Sequence, residues 1–80
     1  MTTIATATEI AARIKSHIGP TKIRPRVWSP DGADFARVYT GCRSEYLQVE
    51  ADGIVTKSQT NLSWGHKIAE VLDEMGLEVA

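Results

Sequence analysis

Glu45-Tyr46-Leu47-Gln48-Val49-Glu50-Ala51-Asp52-Gly53-Ile54-Val55-Thr56-Lys57-Ser58-Gln59 is the stretch on which the fold turns. Residues alternate in character on both sides of Asp52-Gly53, a pair that favours a tight hairpin because glycine takes positive φ without strain. A two-residue loop sets Ala51 opposite Ile54, Val49 opposite Thr56 and Gln48 opposite Lys57. One face then carries Leu47, Val49, Ala51, Ile54 and Thr56, and the other Tyr46, Gln48, Glu50, Val55 and Lys57. The first face is expected in the core, because a slip of one residue would put Leu47 and Val49 in water.

Two more stretches upstream keep the period of two. Over Thr21–Trp28, Lys22, Arg24, Arg26 and Trp28 alternate with Ile23, Pro25 and Val27. Over Asp34–Thr40, Phe35, Arg37 and Tyr39 alternate with Ala36 and Val38. Ser29-Pro30-Asp31-Gly32 and Gly41-Cys42-Arg43 supply turn chemistry between the strands. A helix is predicted on each side of these four strands. Ile10, Ile14 and Ile18 with Ala7 and Ala11 form an apolar stripe over about Thr8–Ile18. Thr6 and Glu9 have capping-box spacing at its start, and Gly19-Pro20 ends it. Trp64, Ile68, Val71, Leu72 and Met75 form a second stripe, capped by Asn61 or Ser63 and closed by Gly76, with Leu77 folding back.

The order α-β-β-β-β-α with short connections predicts an α+β two-layer sandwich. A four-stranded antiparallel meander sheet carries the N-terminal and C-terminal helices on one face. The 80 residues suffice for one domain with one thin core. That core is expected to hold the three helix isoleucines, Ile23, Val27, Val38, Leu47, Val49, Ile54, Ile68, Leu72 and Met75.

Several function classes drop out. No apolar run is long enough to span a membrane, and Met1-Thr2-Thr3-Ile4-Ala5 has no basic or long apolar leader character. Cys42 is the only cysteine, which excludes an internal disulfide and suits a reducing cytoplasm. One cysteine and two separated histidines do not make a zinc site, and no cofactor motif is present. No spacing brings Cys42, His17 and His66 together as a nucleophile and base, so a non-enzyme is expected.

Formal charge is −1 but unevenly spread. Residues 13–43 hold seven bases against Asp31 and Asp34, a balance of +5, and residues 44–80 balance at −5. Four of the five aromatics, Trp28, Phe35, Tyr39 and Tyr46, fall on the open sheet face. Lys22, Arg24, Arg26, Arg37 and Lys57 are expected beside them. Tryptophan, tyrosine and arginine dominate protein-interface hot spots, and the same mixture serves to stack bases and hold phosphates. Cross-strand aromatic pairs also stabilise a sheet with no ligand at all. The pattern predicts a binding module that docks a larger protein or ribonucleoprotein complex. Its site is Lys22, Arg24, Arg26, Trp28, Phe35, Arg37, Tyr39 and Tyr46, and a single-stranded nucleic-acid binder is the alternative. The balanced charge favours the protein partner, since phosphate neutralisation dominates nucleic-acid affinity.

The order of elements resembles the double-stranded RNA-binding domain, which runs α-β-β-β-α at similar size. The chain departs from that pattern by its fourth strand. It also has Ser63-Trp64-Gly65-His66-Lys67 where the family places a lysine cluster, so RNA binding is not carried over. In size and lack of catalytic residues the chain is also similar to small phage and mobile-element inhibitors, anti-CRISPR proteins among them, which implies occlusion of a site on a larger complex.

Overall fold

The computed structural model describes residues 3–41 and 43–80. Helix α1 (Thr3–Ile18) is followed by β1 (Arg26–Trp28), β2 (Ala36–Tyr39), β3 (Tyr46–Val49), β4 (Val55–Lys57) and α2 (Gly65–Glu74). The strands form one antiparallel sheet in the order β1-β2-β3-β4, which is the predicted meander. Helix α1 lies over β1, β2 and β3, and α2 packs beside α1. Ile10, Ile14, Leu47, Val38, Val49, Ile68 and Leu72 share a single buried cluster, so α2 lies on the α1 side of the sheet, packed against α1. Val27 and Met75, expected in the core, pack half-buried at its margin.

The hairpin of β3 and β4 holds, but its register differs by one residue. Val49 pairs with Val55, Gln48 with Thr56 and Leu47 with Lys57. The loop has three residues: the Gly53 amide donates to the Glu50 carbonyl at 2.9 Å, and the Glu50 amide to the Ile54 carbonyl at 2.9 Å. The physical reason is the backbone at Asp52. A two-residue turn of the type expected for Asp-Gly needs positive φ at both positions. Here only Gly53 has it, at φ 87°, and the Asp52 carboxylate accepts the Ile54 amide at 3.0 Å. The extra residue is a bulge that turns β4 over. Val55 is fully buried, and Ile54 and Thr56 share the open-face parity of Gln48 and Glu50. Lys57 leaves the open face for the helix side, where the strand end keeps it exposed.

The other differences lie at element ends. Helix α1 begins at Thr3, so Thr6 and Glu9 are within it rather than forming a capping box. Glu9 instead accepts from Arg13 Nε at 3.0 Å, one turn on. Residues 20–22 form a turn and 23–25 an irregular lead-in rather than strand, with the Lys22 and Ile23 amides both donating to the Gly19 carbonyl. Pro25, lacking an amide proton, bounds the short β1.

Neither Asn61 nor Ser63 caps α2. The Ser63 amide and hydroxyl are both committed to Glu45 Oε1, at 3.1 and 3.0 Å, which pins the start of α2 to the start of β3. Trp64 occupies the cap position at φ 64° and is 41% exposed, so it is not part of the buried stripe. At the other end Gly76, at φ 69°, donates to the Asp73 carbonyl and Leu77 to the Leu72 carbonyl, the paired bonds of a Schellman motif. The chain then folds back, and Val79 forms a parallel bridge with Val55.

Candidate docking surface

The open face of the sheet is organised around Arg37. By register, Arg26, Tyr39 and Tyr46 make one row across the strands, and Trp28, Arg37, Gln48 and Thr56 the next. Parity along β2 brings Phe35 to the same face, and Ser29 Oγ holds it by donating to the Phe35 carbonyl at 2.8 Å. The Arg37 guanidinium carbon lies 4.4 Å from the Tyr46 ring centroid and 5.7 Å from those of both Trp28 and Phe35. These are cation–π distances. Its Nε donates to Gln48 Oε1 at 2.9 Å and its Nη1 to the Tyr39 hydroxyl at 3.2 Å. Gln48 in turn donates to Glu50 Oε2 at 2.6 Å. The bond to Tyr39 raises the guanidinium pKa beyond its already high value. Arg37 is therefore a structural cation that joins three strands.

The rings meet at steep angles. Trp28 and Phe35 are 6.5 Å apart at 61°, and Tyr39 and Tyr46 are 5.4 Å apart at 56°. The first pair is edge-to-face and the second tilted, and both are favourable ring contacts. Phe35, Tyr39 and Tyr46 are half-buried in it, and Trp28 stands out at 47% exposure.

No family model, curated protein or solved structure matches this chain.

Beside the ring cluster, Arg26 and Arg43 flank a hollow of about 490 Å³ walled by Trp28, Val27 and Tyr39. Among the described residues neither arginine forms an ion pair, which leaves both guanidiniums open to an outside anion. Arg43 is a residue the alternation does not point to, because it sits in the turn before β3, where period-two parity has no meaning.

Of the expected site, Arg26, Trp28, Phe35, Arg37, Tyr39 and Tyr46 come together on one face. Arg24 is exposed in the segment ahead of β1. Lys22 departs: the turn after α1 carries its Nζ to 6.0 Å from the Trp64 ring centroid, beside α2. Of the residues weighed for catalysis, only the two histidines are described. His17 Nε2 is 3.0 Å from Glu70 Oε1, His66 is exposed on α2, and Cys42 lies outside the described residues. Among the described residues no group of three histidine, cysteine or acidic side chains is placed to hold a metal, and no helix is long and apolar enough to cross a membrane.

Proposed function

We propose that this chain is a non-enzymatic binding module of the cytoplasm that docks an acidic surface of a larger protein or protein complex. Docking uses Trp28 with Arg26, Arg43 and Arg24. The observation that supports this is the occupation of the ring faces. Arg37 lies over Tyr46 and within 5.7 Å of the Trp28 and Phe35 centroids, and Phe35, Tyr39 and Tyr46 are half-buried, so the patch offers one protruding tryptophan rather than a row of exposed rings. Nucleic-acid binders of the single-stranded class need free ring faces. A tryptophan ringed by arginines is instead the composition of an interface hot spot. A standard interface takes about 800 Å² per partner, roughly a sixth of the 5075 Å² that this chain exposes. Docking over such an area would cover a patch of similar size on the partner, which is the action of an inhibitor of the phage or mobile-element kind.

The test places a photo-crosslinking amino acid at position 28 and, as a control, at the exposed Ala12 of α1. A discrete protein adduct is expected from position 28 alone, and it is expected to vanish with Arg26→Glu plus Arg43→Glu while the thermal midpoint holds. Equal adducts at both positions overturn the docking surface. Tight binding of labelled single-stranded oligonucleotides with a steep salt slope, measured by anisotropy, replaces the protein partner with a nucleic acid.

A further inference from the structure

On the helix side of the molecule, away from the arginine face, a groove of about 910 Å³ runs between α2 and the folded-back C-terminal residues. Leu62, Ile68 and Leu72, all buried, form its floor, and Trp64, Leu77 and Val79 its walls. The size falls in the range of small-molecule sites, which are largely apolar with a few polar groups at the margin.

Three observations concern what such a groove would take. First, the side chains that line it are more basic than acidic. Two lysines, Lys57 and Lys67, line it against one acid, Asp73, with Glu70 acting on Lys67 from the next turn of α2, and the Lys22 Nζ lies 6.0 Å from the Trp64 ring centroid. Second, no lysine at this margin is in an ion pair among the described residues. Third, Lys57 is there because of the three-residue hairpin loop, since that register gives it the parity of Leu47 and Val55. The same loop buries Val55, and the Val55 backbone holds the Val79 wall. The Val55 amide donates to the Glu78 carbonyl and the Ala80 amide to the Val55 carbonyl, both at 2.9 Å. One feature of the hairpin thus supplies both a cation and a wall.

We propose that this groove binds a small amphipathic carboxylate of the medium-chain fatty acid class. The chain lies along the aliphatic floor between Trp64 and Val79, and the carboxylate meets Lys57 and Lys67. The commitment to an anion rests on the two lining lysines, and the commitment to an aliphatic chain rests on a floor of Leu62, Ile68 and Leu72 with no aromatic side chain in it. Binding is reversible and involves no chemistry.

Trp64 reports directly on occupancy once Trp28→Phe removes the other indole. Decanoate, kept below its micelle concentration, is titrated into that variant, with acetate and decyltrimethylammonium as head-only and opposite-charge controls. A saturable one-site shift of Trp64 emission is expected with decanoate and with neither control. Lys57→Glu together with Lys67→Glu is expected to weaken it about tenfold or more, because two attractions become repulsions. Both lysines are exposed, so the fold is retained, as circular dichroism checks. Calorimetry of decanoate into the unsubstituted chain gives the same constant independently of Trp28→Phe. An unsaturable response, an equal response to the cationic chain, or an affinity untouched by the double substitution overturns the proposal.

Discussion

Val55→Ala and Ile54→Ala form a pair whose order of cost depends on the hairpin register. Val55 is 0% exposed and packs in the core, while the neighbouring Ile54 is half-buried with open-face parity. Val55→Ala removes two buried carbons, about 1.6 kcal/mol of transfer free energy. A cavity contribution of up to about 1 kcal/mol adds to that, for a total near 2.5 kcal/mol. Ile54→Ala removes one carbon more, but from a side chain already in part hydrated, and about 1 kcal/mol is expected. Loss of strand propensity enters both nearly equally and cancels in the comparison. A chain of this length has roughly 4–12 kcal/mol of stability in all, so the larger change is a substantial fraction. With a urea slope near 1 kcal/mol/M, midpoints fall by about 2.5 M and about 1 M, at unchanged slope. If Ile54→Ala costs more than Val55→Ala, the two-residue loop is the true one. Lys57 then returns to the arginine face and the groove loses one of its two lysines.

Two further outcomes follow from the helices. Glu70 is held below the usual carboxylate range, first by its hydrogen bond with His17 and then by the charges of Lys67, His17 and His66. Its contribution is thus complete above the unfolded carboxylate range and is lost as pH falls through the lowered folded value. The thermal midpoint of the native chain is expected to drop more steeply below about pH 5 than that of Glu70→Gln, and parallel curves would contradict the assignment. Trp64 carries positive φ at the start of α2, a conformation that costs a side-chain-bearing residue about 1 kcal/mol or more. Trp64→Gly is therefore expected to be more stable than Trp64→Ala by about 1 kcal/mol in urea melts, although glycine is ordinarily the worse residue near a helix. The reverse order would show that the backbone there is unstrained.

The element order and the meander were legible because each element carries a strong local period and each link is short. The register of the last strand was not. Ile54-Val55-Thr56-Lys57 offers one good apolar residue at either parity, so the hydrophobic pattern alone could not choose. The choice was made by Asp52, whose negative φ and carboxylate contact with the Ile54 amide favour the longer loop. Ser63 shows the same limit, since its capping chemistry is real but was spent on Glu45, 18 positions away in sequence. On the arginine face, alternation located Arg37 among the rings, while its partition between structure and binding depended on Gln48 and Tyr39 standing at bonding distance.

The C-terminal bridge to Val55 bears on how recognition is divided between main chain and side chains. Strand β4 has its outer side taken up at Val55 by Glu78 and Ala80. At the opposite margin β1 offers only three residues, set between Pro25 and Pro30. A peptide seeking to extend this sheet by backbone pairing therefore finds a covered margin on one side and a proline-bounded stub on the other. Both margins of the sheet thus disfavour backbone pairing, which leaves the side chains on the two faces as the surface open to contact.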